Sequence, residues 1–379
     1  MTAERPALER RVLDALDAGR TPVLLGGCGA GRTTLLRRLE AVLGADRSQY
    51  LDLAPAATTP ERCLAAIRRV SRFGTGHASP APATPRASVE ALFTDFDQAR
   101  SANGGPVTWL LDEILDIRTF ESFPGLRHVQ RDLVTRLAQS PSRFVLASRF
   151  TTRGHRLLRD APPRFEVIHM PPLDVSEVRA MALGVDGERA SWATGVAPAV
   201  TALAYGQALA VRQLLDTLAA IGPATDPVAA LASLFSSDGA LAARCRESYE
   251  FRLQRARGYG ALKAILGILS EEEPRNLTEI ALQLRRTPGS TKDYLSWLED
   301  VDLVQVQGKK YRFADPLLRL YVRLYGHPVP PTDDAIVREI GAYAKSRLPH
   351  LRSAGETVPA AVAADSNEAG RASGIIEID

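Results

Sequence analysis

Lysine is missing from this chain before Lys263, and upstream of that point arginine alone carries the permanent positive charge. Such a bias reads as coding preference, so an arginine found where lysine is customary looks like drift rather than deliberate inactivation. Cysteine is scarce too. Cys28, Cys63 and Cys245 are far apart with no C-x-x-C spacing, which excludes a disulfide framework and a cysteine zinc site. The six histidines are scattered and offer no metal cluster. No apolar run approaches the ~20 residues that would span a bilayer. Met1 to Arg20 is charged and amphipathic, without the apolar centre of a signal peptide, so a cytoplasmic location is expected. A net charge of +3 is too small to argue for nucleic acid by itself.

What is present is enough for two or three domains: 379 residues, 45% hydrophobic and 24% charged. The chain is organised around Gly26-Gly27-Cys28-Gly29-Ala30-Gly31-Arg32-Thr33-Thr34, which follows the apolar run Pro22 to Leu25 and opens onto the helical spacing of Leu35 to Leu39. Strand, glycine loop and helix in that order are the context of a phosphate-binding loop. Glycines admit positive φ and turn successive N–H groups onto phosphate oxygens, and the helix adds its positive N-terminal end. The template G-x-x-x-x-G-K-[ST] fits Gly26 to Thr33 at every fixed position except Arg32, which stands where lysine is expected.

Taken in order, the chain predicts a helix over 4–19, a strand at 22–25, a helix over 33–43 and a strand over 49–53. A helix capped by Thr59-Pro60 should run to about Phe73, followed by a flexible insert over 74–87 and a further helix from Ser88. Val107 to Glu113 reads as a buried strand ending in two carboxylates. Beyond a phosphate loop, Asp112 would hold a magnesium shell and Glu113 would orient the attacking water. A helix over about 126–138 leads to the strand 143–149, which ends in Arg149, and strand 165–169 closes the series. Alternating strands and helices predict a parallel, doubly covered α/β sheet with its ligand at the C-terminal strand edge, where the loop, the acid pair and Arg149 all fall.

After Asp174 the pattern is helical: 176–183, around 188–192, 197–221, 227–235 and 239–257, interrupted by a turn over 194–198. From Tyr259 three helices, the last from Ser290, and a hairpin with the basic turn Gln307 to Lys310 spell a winged helix, followed by helices at 315–325 and 333–347. Residues 353–379 predict a disordered tail, ending in the apolar-acidic Gly374 to Asp379. Cys28 lies inside the anion-binding loop, where a thiolate would be stabilised, although a small residue tolerated at a variable position is the plainer reading.

These residues resemble the AAA+-like ATPases of the STAND class, and within it the archaeal-type ATPases that end in a winged helix. The resemblance covers roughly 20–325 and rests on GGCGAGRTT, WLLDE, FVLASR, PPLDVSEVRAM, TGVAP and YLSWLEDVDLVQVQGKKYRFADPLLRLY. It implies a P-loop NTPase core over 1–172, a helical lid over 173–257, a winged helix over 258–328, and a C-terminal helix with its tail over 329–379. It implies ATP and Mg2+ as ligands. Gly26, Gly27, Gly29, Ala30, Gly31, Arg32, Thr33 and Thr34 would surround the phosphates, with the Thr33 hydroxyl and Asp112 serving the metal. Glu113 and Asp112 would be the Walker B pair, Arg149 the sensor of the γ-phosphate, and Pro198 the lid proline near adenine. Arg156, Arg159 or Arg164 stands where related homo-oligomers carry an arginine acting in trans.

Arginine at position 32 keeps the charge but is longer, planar and forked, so binding is expected to survive it better than turnover does. Three functions follow: an ATP-driven switch acting on a protein or DNA partner; a DNA-binding module with a structural nucleotide; and a transposition or defence regulator assembled on DNA. The DNA reading would use Arg285, Arg286, Lys292, Lys309, Lys310 and Arg312, opposed by the nearby Asp293, Glu299, Asp300 and Asp302.

Overall fold

The computed structural model describes residues 5–73, 82, 84–186, 190–222, 226–254 and 258–348. The first part comprises α1 (Pro6–Asp17), β1 (Thr21–Leu25), α2 (Arg32–Leu43), β2 (Ser48–Asp52), α3 (Pro60–Val70), α4 (Pro85–Gln98), β3 (Thr108–Asp112), a 3-10 helix (Ile114–Ser122), α5 (Val129–Gln139), β4 (Arg143–Ser148), α6 (Thr151–Leu158) and β5 (Phe165–His169). The five strands form one sheet in the order β2-β3-β4-β1-β5, and every neighbouring pair is parallel. Successive residues of a strand face opposite sides. Leu24, Tyr50, Leu110, Val145 and Ile168 accordingly pack with α1 and α2 on one face. Val23, Leu51, Trp109, Leu111, Phe144 and Leu146 enter the larger core on the other. There Trp109 meets Phe73 and Phe96 with ring centroids 5.8 and 4.9 Å apart. Near-continuous apolar runs in β1, β3 and β4 made the centre of this sheet legible.

Several boundaries differ from the sequence expectation for local reasons. Helix α4 starts before Ser88, because the Thr84 hydroxyl accepts from the Ala87 N–H and Pro85 occupies the first turn. The rest of the expected 74–87 insert lies outside the described residues apart from 82 and 84. The 3-10 helix and α6 were not anticipated. The spacing of the buried Ile114, Ile117 and Phe120 follows the three-residue period of a 3-10 helix.

The helical stretch consists of α7 (Val175–Asp186), α8 (Ala190–Leu203), α9 (Ala208–Ile221), α10 (Pro227–Leu234) and α11 (Ala240–Leu253). The turn expected over 194–198 is not there: α8 runs through Gly195 and Pro198. Burial of Ala197, Val200, Leu203 and Ala204 along one face outweighs the hydrogen bond that Pro198 cannot make. The chain breaks later, at Tyr205 and Gly206, both left-handed (φ 54° and 62°). A Cβ on Gly206 would sit 2.6 Å from the Leu173 carbonyl oxygen. Gly206→Ala should therefore cost at least about 1–3 kcal/mol through backbone strain, read as a lowered denaturant midpoint, with the collision adding to it. An unchanged midpoint would mean that this corner yields.

The C-terminal part contains α12 (Tyr259–Glu271), β6 (Arg275–Asn276), α13 (Leu277–Leu284), α14 (Pro288–Asp300), β7 (Val304–Gln307), β8 (Lys310–Phe313), α15 (Pro316–Tyr325) and α16 (Asp333–Arg347). Its small antiparallel sheet has the order β6-β8-β7. The Thr287 hydroxyl caps α14, so the helix expected from Ser290 starts at Pro288 and Ser290 is already inside its first turn. This part is fastened to the sheet through α6. The Thr152 amide and hydroxyl donate to Asp302 Oδ1 at 3.0 and 2.6 Å, and Arg156 pairs with Asp300 at 2.6 Å. Residues 353–379, including the apolar-acidic end, lie outside the described residues.

Candidate functional site

Parallel order places the ends of β1, β3 and β4 side by side, and the glycine loop leaves the first of them. Gly29 and Gly31 have φ of 79° and 91°, and a Cβ on Gly26 would come within 2.7 Å of Met170 Cβ. The loop is therefore tight as well as left-handed. Gly31 caps α2 without any side-chain acceptor, so the first-turn N–H groups are available to an anion. Gly29 also takes a hydrogen bond from the Leu209 N–H of α9 at 3.0 Å, which lays that helix end against the loop.

Arg32 turns back under the loop. Its Nη1 donates to the carbonyls of Gly26 and, at 2.7 Å, Gly27, while its Nη2 meets Glu113 Oε1 at 2.6 Å. The Thr33 hydroxyl donates to Asp112 Oδ2 at 2.6 Å, and the Tyr50 hydroxyl reaches the same oxygen at 3.1 Å. Burial, and then the Asp112 charge, push the Tyr50 phenol well above its ordinary value, so it remains a donor. Glu113 itself is buried and left-handed (φ 53°). Its Oε2 accepts from the Arg149 amide at 3.0 Å, and Arg149 Nε lies 3.2 Å away but off line, an ion-pair contact without a hydrogen bond. Arg149 Nη2 bonds Asp116 at 2.7 Å. Burial opposes the Arg149 charge, yet Glu113 and Asp116 more than offset it and raise its pKa.

The loop opens into a cavity of about 310 Å³ lined by Gly29, Ala30, Gly31, Arg32, Thr33, Thr34, Glu113 and Arg149. Asp112 lies behind Thr33, while Gly26 and Gly27 form the floor on which Arg32 rests. Pro198, expected near a base, is instead an exposed residue of α8 and does not line this cavity; the start of α9 does. Nor are the expected trans arginines all available. Arg164 donates to the carbonyls of Ala138, Ser140 and Ser142, and Arg156 is held in cis by Asp300, while Arg159 is exposed.

Sequence reasoning missed Arg5, Arg38, Arg212 and Arg244, which line the same cavity from α1, α2, α9 and α11 or their flanks. Helical spacing gives no sign that such distant residues converge. It also missed Asp52, a third carboxylate in register with Asp112, whose acidity burial weakens. Cys28 receives a hydrogen bond from Arg252 Nη2 at 3.3 Å. Burial pushes its thiol up, but Arg252, Ser248 and Arg149 together hold it below the ordinary value.

Arg5 Nη1, Arg32 Nε and Arg149 Nε are sealed from water without hydrogen-bond partners, and guanidinium groups outnumber carboxylates around the cavity. Those residues fit a polyphosphate. Thr33 and Asp112, touching through one oxygen each, fit the hydroxyl and carboxylate of a magnesium site.

The five-stranded parallel sheet, with its glycine loop after β1 and its Asp-Glu pair at the end of β3, gives this chain a P-loop NTPase fold. Among solved structures it is similar to the Walker-type ATPase paby2304 of Pyrococcus abyssi, with a TM-score of 0.63 and 14% identity over 85% of this chain and 96% of that one. The Aeropyrum pernix Orc1 protein in complex with DNA aligns over 93% and 95% of the two chains at 17% identity, with a TM-score of 0.45, too low to bear further on the fold. No protein-family model and no curated protein matches the sequence. Among the described residues no helix is long and apolar enough to cross a membrane.

Proposed function

We propose that the chain is an ATP-binding switch that hydrolyses ATP slowly. The nucleotide-binding core spans 1–172, and a lid (173–257) and winged helix (258–328) answer to nucleotide state. The observation that carries this reading is the convergence of Thr33 with Asp112 and of Arg32 and Arg149 with Glu113 at one cavity. The loop amides and Arg32 would bind the phosphates, and Thr33 and Asp112 would hold Mg2+, which supplies charge neutralisation when bound. Glu113 would orient the attacking water, and Arg149 would answer the terminal phosphate. With its oxygens held by Arg32 and Arg149, Glu113 would be drawn off line from an attacking water, and turnover would be slow. Contact of α9 with Gly29, and of Arg252 with both Cys28 and the Asp302 carbonyl (2.9 Å), would pass a change at the loop to the helical and C-terminal parts.

Calorimetric titration with Mg-ATP tests the reading. Wild type should bind, and Thr33→Ala should lose most of the magnesium dependence of that affinity. Failure of wild type to bind would remove the proposal.

A second reading, direct DNA binding through the winged helix, gains from one observation. Of the acids that would oppose it, Asp300 is paired with Arg156 and Asp302 with Thr152, on the side towards α6. Arg285, Arg286, Lys292, Lys309 and Lys310 are exposed. Retention on DNA should fall steeply with salt. Lys309→Ala with Lys310→Ala should flatten that slope by about one unit for each phosphate left without its lysine. Retention that ignores salt and both lysines would dismiss it.

A further inference from the structure

A second cavity, of about 430 Å³, lies between the 3-10 helix, α6, α11 and α14, on the far side of Arg149 from the glycine loop. Its volume falls in the ordinary range of small-molecule sites, ~300–1,000 Å³. Two kinds of side chain dominate its lining: the rings of Phe150, Phe251 and Trp297, and the guanidiniums of Arg118, Arg153 and Arg252. Phe150 is buried, and Trp297 is half-buried, so their faces are held rather than free to collapse into the space.

The arginines are incompletely satisfied. Arg252 is only 6% exposed, and its Nε, like that of Arg153, is shut off from water with no hydrogen-bond partner. Arg153 lies over the Phe150 ring at 4.5 Å. Burial, and then the neighbouring Arg118, depress its pKa despite Asp300, Asp302 and Asp116 nearby, so an added anion would be welcome there. Arg118 has its own partner in Glu121 at 3.7 Å and is exposed at the rim. Thr119 and Ser122 add hydroxyls to the lining.

We infer that this cavity is a binding site for a small planar anion, a ring carrying a phosphate such as a mononucleotide, with the ring against Trp297 and Phe251 and the phosphate at Arg153 and Arg118. Flat rings stack on aromatic and guanidinium faces, and phosphate takes forked hydrogen bonds from arginine. The position also gives the site a lever. Asp116 lines the cavity and holds Arg149, and Arg149 lies 4.9 Å over Phe251. A ligand that shifts either would change what Arg149 offers to Glu113. This coupling, unlike the binding itself, rests on the ATP reading.

The test is calorimetric titration of the full chain with adenosine 5′-monophosphate and with phenyl phosphate, in the presence of saturating Mg-bound, non-hydrolysable ATP analogue. One further equivalent should bind. Arg153→Gln and Trp297→Leu should each weaken it about tenfold or more. Adenosine alone and inorganic phosphate alone should bind more weakly than either probe. Absence of binding at millimolar probe, or survival of full affinity in Arg153→Gln, would each overturn the site. If the glycine loop binds no nucleotide at all, the analogue produces no heat, yet the Arg153-dependent titration still stands. The two readings therefore fail separately.

Discussion

Arg32→Lys is expected to raise ATP turnover by up to about 100-fold while changing ATP affinity little. Both residues carry the positive charge that the phosphates need, so binding loses nothing large. What differs is reach and shape. The Arg32 fork spans from the loop carbonyls of Gly26 and Gly27 to Glu113 Oε1 at 2.6 Å, binding floor and carboxylate together. An ammonium is a compact point charge whose stem is shorter, and it cannot make both sets of contacts at once. Drawn to the loop and the phosphates, it would release one oxygen of Glu113. Since a misplacement of about 1 Å can cost ~100-fold, restoring the position of that carboxylate has room to act. Phosphate release at saturating ATP, measured beside ATP affinity, gives the answer. Unchanged turnover with intact binding would mean that the Arg32–Glu113 contact is not the brake. Arg32→Ala separates charge from shape: it frees Glu113 as well, but affinity should fall.

How much of this was legible in the sequence differs by kind of feature. The strands β1, β3 and β4 were, because buried parallel strands are apolar at nearly every position and end where polar residues begin. The loop was legible because its glycines are demanded by conformation: Gly29 and Gly31 are left-handed and Gly26 abuts Met170. The contact of Asp112 and Glu113 with the loop followed from strand order. Arg32's engagement with Glu113 did not, since a guanidinium can point several ways from one Cα. Pro198 misled for a related reason. A Thr-Gly followed by Ala-Pro reads locally as a turn, whereas Ala197, Val200 and Ala204 are fixed by burial that only the assembled helices provide. Arg5, Arg212 and Arg244 reach the cavity from distant parts of the chain. No local pattern encodes that meeting.

Glu113→Gln should abolish most turnover, by about 10²–10⁴-fold, and at the same time strengthen ATP binding. The first effect follows from removing the one carboxylate, among the described residues of the cavity wall, that could accept a proton from water. The amide retains the shape and one acceptor oxygen. The second follows from the charges that Glu113 now satisfies. In the free protein its two oxygens compensate Arg32 and Arg149. Arg149 would keep Asp116 at 2.7 Å, but Arg32 would lose its counter-charge, keeping only the neutral backbone carbonyls and the amide oxygen as acceptors. A buried guanidinium without its carboxylate destabilises the unliganded fold. A polyphosphate supplies the missing negative charge, so the variant gains more from binding than wild type does. By linkage, a ligand that binds only the folded state stabilises it by an amount that grows with the logarithm of one plus the ratio of ligand concentration to its dissociation constant, and the unfolding temperature rises accordingly. Glu113→Gln should therefore melt below wild type without nucleotide and show the larger upward shift with Mg-ATP. If the variant instead melts as wild type does, with an equal shift, then Glu113 is not the counter-charge of Arg32 in solution. If it also hydrolyses ATP at the wild-type rate, the acid that serves this cavity must be another, with Asp52, in register beside Asp112, the first to replace.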